Sequence, residues 1–323
     1  MKMKKSISLL LIAVLLITLL TGCKKENEEE RKLSASVTLL TDTEGNINSA
    51  LNESARMGLE DAESNLGIEG RNIKCSSEED IQDNIDILVQ GGKTDIIIGA
   101  GERFGNIIAT SAKKYPEQNF AVIDSSGIED IPKNVVSISF DNERTGFMAG
   151  FIAGKMTSKG RVAIVDSKSE SYADGFEKGA KSANEKIKEV LIRSANIYTN
   201  PESAKTAVND CEYYGADVIF SSLADDSVSA INDAEKDLTK VIAINKDQYS
   251  YSKEKVIASI IRSYEKAVYD ISVMANDPDS FKGGQDIRYN SKDSGTVLSP
   301  STENTVPPDV IMRLDKALKE NYN

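Results

Sequence analysis

The chain has 323 residues, 40% of them hydrophobic and 28% charged, with a formal charge of -12. That length and balance suit a globular protein of about two domains. The acidic excess argues against a nucleic-acid binder and against direct adhesion to anionic lipid, since both need clustered Lys and Arg.

The first residues stand apart from the rest. Met1-Lys2-Met3-Lys4-Lys5 is a basic start, and 6–20 is an apolar run too short for a usual spanning helix, so 1–22 reads as a secretory signal peptide. Leu20-Thr21-Gly22-Cys23 resembles the bacterial lipobox, which implies cleavage before Cys23 and acylation of its sulfur. Residues 1–22 carry three lysines and no acid, so their removal takes the formal charge from -12 to -15. The expected membrane attachment is therefore the lipid, several acyl chains holding where one gives only marginal binding. Residues 24–32 (KKENEEERK) bury no apolar surface and form a solvated tether, reaching roughly 30 Å when extended. Cys75 and Cys211 belong to no CxxC pair and fall in different expected lobes, so both are expected as buried, unpaired small hydrophobes.

From 36 onward strands and helices alternate. Strands are expected at 36–41, 72–76, 95–99, 119–124 and 135–140, with helices at 46–66, 78–90 and 103–115 between them. The run 95–99 (DIIIG) has the continuous apolar character of a strand in a buried parallel sheet. Then comes the stretch around which the chain is organised: strand 135–140, helix 143–156 and strand 161–166. Within that helix Gly146, Gly150 and Gly154 recur every four residues. Each costs about 1 kcal/mol against Ala, so three on one face predict very close backbone approach, of the helix onto a sheet. A membrane dimer stripe is excluded because the segment is too short and carries Glu143, Arg144 and Lys155.

Alternation resumes with helices at 172–187, 201–214, 225–237 and 263–276 and strands at 190–198, 217–221, 240–244 and 256–261. The looser 277–305 precedes a last helix at 309–322. No internal repeat is seen in the sequence after the tether. Strict alternation implies an α/β protein with parallel sheets covered on both faces, and so many strands require two lobes. Residues 34–140 with about 256–285 are assigned to the first lobe, and 141–255 with about 286–323 to the second. Ligands of such sheets sit at the carboxyl ends of strands, so the loops at Asp42, Gly101, Asp124, Leu223 and Asn245 should face one cleft.

Several chemistries are removed by what is missing. There is no histidine, which eliminates Ser-His-Asp and Cys-His arrangements, His-bearing zinc sites and the usual base near neutral pH. No GxxxxGK[ST] stretch exists, so a P-loop is excluded. Gly99-Ala100-Gly101-Glu102-Arg103-Phe104-Gly105 mimics a dinucleotide fingerprint, but its spacing is GxGxxxG and it follows the third strand, so it reads as a cleft-lining turn. No enzyme, metal or cofactor is expected.

The runs at 95–101 (DIIIGAG), 111–124 (SAKKYPEQNFAVID), 140–165 (FDNERTGFMAGFIAGKMTSKGRVAIV) and 175–184 (GFEKGAKSAN) resemble the basic membrane protein family. These are PnrA-like substrate-binding lipoproteins of ABC importers, with Med-type lipoproteins as relatives, and the resemblance runs from about 36 to the end. It implies a type I periplasmic-binding fold, two doubly wound lobes joined by a multi-strand hinge and closing on a purine nucleoside, with delivery to a permease. The family's first-strand aspartate matches Asp42, its polar pair Asn48 and Asn52, and its fourth-strand aspartate Asp124. Its ribose-binding acid falls on Asn245, followed by Lys246, Asp247 and Gln248, and its later lysine falls on Arg262. A stacking phenylalanine is replaced by Leu51, and the glycine-rich loop of the second lobe by Leu223-Ala224-Asp225-Asp226; Tyr172 is aligned as a second aromatic face. The reading that follows is a lipid-anchored extracytoplasmic receptor of an ABC importer. The alternative is a Med-type regulatory surface lipoprotein with a degenerate cleft.

Overall fold

The computed structural model describes residues 34–43, 49–125, 128, 130–166, 172–195, 200, 202–223, 239–289 and 295–322. Cys23, Asn48, the tether and the expected helix at 225–237 lie outside the described residues. All the elements below belong to one compact unit, Ala35–Asn323, which contains its own hydrophobic cores.

The first sheet holds β1 (Ser36–Asp42), β2 (Glu69–Cys75), β3 (Ile96–Ala100), β4 (Asn119–Ile123), β5 (Val135–Phe140) and β11 (Gln285–Tyr289) in the order β11-β5-β4-β3-β1-β2, every pair parallel. Helices α1 (Ser49–Leu66), α2 (Glu78–Gly91) and α3 (Phe104–Lys114) connect its strands. Helix α2 is a clear case of local sequence setting bounds. Ser77 accepts from the Asp80 N–H at 3.1 Å, acids fill the first turn, and Gly92 ends the helix at φ 59°. Its Ile81, Ile85 and Leu88 face the sheet. Strand β3 is buried throughout, as its unbroken apolar run requires.

The second sheet holds β6 (Arg161–Asp166), β7 (Glu189–Ser194), β8 (Val218–Ser221), β9 (Lys240–Ile244), β10 (Val256–Arg262) and β12 (Thr296–Leu298) in the order β12-β10-β9-β8-β6-β7, with only β12 antiparallel. Helices α4 (Asn142–Met156), α5 (Ala173–Ala183), α6 (Glu202–Tyr213), α7 (Tyr264–Asn276) and α8 (Pro308–Tyr322) complete the chain. Each sheet has a core on both faces. Leu39, Leu59, Tyr264 and Ile271 pack on one face of the first, with Leu40, Ile85, Ile108 and Phe120 on the other.

The two strand orders superimpose position by position, β1 on β6, β3 on β8, β4 on β9 and β5 on β10. The topology is thus duplicated although no repeat is seen in the sequence. The chain crosses between lobes at Asp141, at Ser263 and between Tyr289 and Gly295, and backbone bonds from Asp141 N–H to Tyr289 O and from Ser263 N–H to Gly295 O tie these segments together.

Those crossings correct the expected lobe boundaries. Strand β10, assigned in sequence to the first lobe, pairs with β9 and β12 in the second. Strand β11, most of which was assigned to the second lobe, pairs with β5 in the first. An apolar strand such as VIASIIR suits either sheet, and only pairing chooses.

The glycine stripe meets a different partner from the one expected. Cβ atoms on Gly146, Gly150 and Gly154 would lie 2.2, 2.0 and 2.6 Å from the carbonyl oxygens of Tyr172, Phe176 and Ala180. From the other side, Gly175 and Gly179 approach the carbonyls of Glu143 and Phe147 just as closely. The stripe of helix α4 therefore lies against helix α5, while Phe147, Met148 and Ile152 join the core over the second sheet with Ile164, Val218 and Phe220, so the expected packing on a sheet holds for the helix but not for its glycine face. Gly58 repeats the device where α1 meets α7, facing the Glu265 carbonyl. In each lobe the helix arriving from the other lobe is clasped this way.

Candidate ligand cleft

The expected cleft residues gather at the carboxyl edges of the two sheets, in two groups. In the first lobe Asp42 ends β1. Its carboxylate accepts from Arg103 at 3.1 Å, and its carbonyl accepts from the Asn52 amide at 2.7 Å. Arg103 stands two residues beyond Gly101, which takes φ 111°. Leu51, where the resemblance implies a stacking ring, packs beside Gly101, 3.8 Å from where a Cβ would stand. Thus Asp42, Asn52 and Gly101 share one wall.

The second group joins the lobes. Asp124 follows β4 and Asn245 follows β9, equivalent positions in the duplicated topology, and both take left-handed backbone (φ 56° and 72°). Asp and Asn are the side-chain-bearing residues that tolerate this best, at about 1 kcal/mol. Between them lies Arg262, the last residue of β10, only 3% exposed. Its guanidinium pairs with Asp124 at 2.8 Å, and its Nε donates to Asn245 Oδ1 at 2.9 Å. Phe140 and Tyr264 flank the guanidinium at 5.7 and 5.5 Å, and the Tyr264 hydroxyl donates to Asp124. A buried guanidinium needs such partners, because an uncompensated charge there costs several kcal/mol.

The remaining expected residues do not join these groups. Tyr172 is fully buried, its ring edge-on to Phe220 at 5.8 Å within the second lobe's core, where it packs rather than presenting a face to a ligand. Asp247 is exposed and accepts from Tyr249 N–H and the Ser301 hydroxyl, both on its own lobe. Leu223 is buried against Val165 and Ala207. Gln248, fully buried, donates to the Ile244 carbonyl and accepts none of the roles of a rim residue.

Sequence reasoning missed Arg103, Tyr264 and Asp166. Asp166 ends β6 as Asp42 ends β1, is 5% exposed and accepts from the Ser222 hydroxyl. The matching strand-final aspartates were the signal that could have found it. Among the described residues no group of three or more metal-ligating side chains occurs. Cys75 and Cys211 are free and buried, their thiols pushed up to about 11 and about 12, chiefly by desolvation.

Two parallel α/β lobes, three crossing segments and polar residues gathered at facing carboxyl edges define a type I periplasmic-binding fold, a two-lobed solute receptor. The chain belongs to the Bmp family, ABC transporter substrate-binding protein PnrA-like, whose model matches residues 37–322. It is 27% identical over 324 residues to the ABC transporter nucleoside-binding protein BmpA of Lactococcus lactis subsp. cremoris, covering 91% of each chain. Among solved structures it resembles a transcriptional activator of the comK gene from Bacillus halodurans (TM-score 0.73, 21% identity, 88% of this chain and 96% of that one). It also resembles an ABC transporter solute-binding protein from Aeropyrum pernix K1 (TM-score 0.70, 20% identity, 88% and 86%).

Proposed function

We propose that this protein is the lipid-anchored, extracytoplasmic receptor of an ABC importer and binds a purine nucleoside between its lobes. The observation that carries the reading is the Asp124–Arg262–Asn245 junction, where polar groups from both lobes converge at one point. The nucleoside-binding relative supports the ligand class. The lipobox-like Leu20-Thr21-Gly22-Cys23 supports the anchor.

In this reading Asp42 and Asn52, with Asn48 beside them in sequence, address the base, and Gly101 lets its edge come close to backbone. Asp124, Asn245 and Arg262 address the sugar hydroxyls, which both accept and donate and so suit a mixed set of carboxylate, amide and guanidinium. Asn at 245 offers neutral bonds of about 0.5–1.5 kcal/mol, where a carboxylate would offer about 1.5–3. Leu51 offers apolar contact but no stacking. Affinity is accordingly modest, and binding drives lobe closure for docking on a permease.

Thermal unfolding of the purified mature chain with a panel of nucleosides tests the ligand. A ligand at a hundred times its Kd adds about 2.7 kcal/mol to the native state. No shift with any nucleoside at high concentration rejects the assignment and leaves the regulatory alternative. Mass spectrometry of the N-terminal peptide from cells tests acylation of Cys23, and an unmodified thiol there rejects the anchor.

A further inference from the structure

The Arg262 junction spends its hydrogen-bonding capacity unevenly. A carboxylate offers about four lone-pair sites, two on each oxygen. At Asp124 both sites of Oδ2 are taken, one by the Arg262 guanidinium at 2.8 Å and one by the Tyr264 hydroxyl, while Oδ1 accepts nothing among the described residues. At Asn245 the Oδ1 atom accepts from Arg262 Nε at 2.9 Å, and the Nδ2 amide donates to nothing among the described residues.

The groups that occupy Oδ2 are held in place. The Tyr264 ring is fully buried in the first lobe's core with Leu59, Ala267 and Ile271. It opens helix α7, which Gly58 holds close to α1. Arg262 lies between the Phe140 and Tyr264 rings, and removing its carboxylate partner would leave a buried charge uncompensated. The two recipients are fixed as well: each sits in left-handed backbone past a strand end, with its N–H bonded to Ile138 O for Asp124 and to Ile260 O for Asn245. The junction therefore presents one carboxylate oxygen from the first lobe and one neutral amide donor from the second.

Such a pair reads sugar hydroxyls asymmetrically. A cis-diol donates two O–H groups side by side, which suits both oxygens of one carboxylate or two separate carboxylates. Here a single hydroxyl finds a charged acceptor, Asp124 Oδ1. The other can only offer a lone pair to Asn245 Nδ2, a neutral bond worth about two- to tenfold in affinity, where a bond to a charged group is worth about ten- to a hundredfold. We propose that this receptor does not require the ribose diol and takes 2′-deoxynucleosides nearly as well as ribonucleosides, Asn245 being the residue that sets this tolerance. The inference rests on the nucleoside reading above and narrows it, the remaining 3′-hydroxyl sufficing for Asp124.

Calorimetric titration of the purified mature chain with adenosine, guanosine and the 2′-deoxy and 2′,3′-dideoxy forms of each tests this. Ribo and 2′-deoxy forms are expected to bind within about tenfold of each other, and dideoxy forms at least about tenfold more weakly than the 2′-deoxy ones. Asn245→Asp keeps an oxygen for Arg262 Nε and tolerates the left-handed backbone while adding a second charged acceptor. It should raise the preference for the ribonucleoside to about a hundredfold. Tyr264→Phe returns a site on Asp124 Oδ2 and should move the ratio in the same direction. A general loss of stability would weaken both ligands alike and leave their ratio unmoved, and thermal unfolding shows that each variant is folded. A ribonucleoside preference beyond about tenfold in the parent overturns the proposal while keeping the nucleoside reading. An unchanged ratio in Asn245→Asp also overturns it and leaves the junction a brace between the lobes, whereas silence toward every nucleoside rejects both readings.

Discussion

Replacing Gly150 by alanine probes the α4–α5 clasp directly. The new methyl would stand 2.0 Å from the Phe176 carbonyl oxygen and 2.7 Å from its carbon, where ordinary contact begins at about 3.4 Å. No flexible side chain can step aside, so the helices must part by more than an ångström. Parting loosens contacts along the whole stripe, since Gly146, Gly154, Gly175 and Gly179 depend on the same spacing. Overpacking of this kind costs about 1–3 kcal/mol, and this clash of backbone with methyl belongs at the upper end. Against it stands a gain of about 1 kcal/mol from alanine's helix propensity, leaving a net loss near 2 kcal/mol. Equilibrium denaturation beside Gly91→Ala provides the control. Gly91 ends α2 with nothing within 4 Å of a Cβ, so there alanine should stabilise by up to about 1 kcal/mol. If Gly150→Ala is as stable as the parent, the clasp is not close-packed and the account of the stripe is wrong.

Three further outcomes follow from the cleft and the cysteines. Leu51→Phe should restore a stacking face and raise nucleoside affinity by about 1–3 kcal/mol in calorimetry, and an unchanged Kd would place the base elsewhere. Arg262→Met strips Asp124 of its ion pair at an 11% exposed carboxylate and should cost about 3 kcal/mol in denaturation; a loss below about 1 kcal/mol would show that the pair behaves as a surface one. The Cys211 thiol, raised by burial from 9.0 to about 12, stays protonated in the fold. Its contribution is whole below about pH 9 and is lost as pH climbs toward 12. Thiol labelling at pH 8 should therefore be slow until denaturant is added, and fast labelling of the native protein would contradict the burial.

What the sequence made legible was local. Strand-final aspartates such as Asp42 and strand-following ones such as Asp124 stand out because an apolar run stops at them, and the period-four glycines announced close approach. The partner of that approach was not legible, because Gly175 and Gly179 sit in a helix whose distance from α4 is a property of the fold. Strand β11 (QDIRY) is an edge strand with most side chains in solvent, so it lacks the apolar signature by which β3 declared itself. The Arg262 junction combines residues separated by well over a hundred positions. Its left-handed turns can be read only from backbone.

The three crossing segments have a consequence for how the protein comes into being. The first sheet is completed by β11, and its clasped helix α7 follows β10, so neither is present until nearly the whole chain has been synthesised. A nascent chain halted after Phe140 would hold five strands whose outer member, β5, lacks its neighbour, leaving an unpaired ladder open to other chains. Neither lobe can be released as an autonomous fragment by a single cut, and truncation from the carboxyl end should impair the amino-terminal lobe as well as its own.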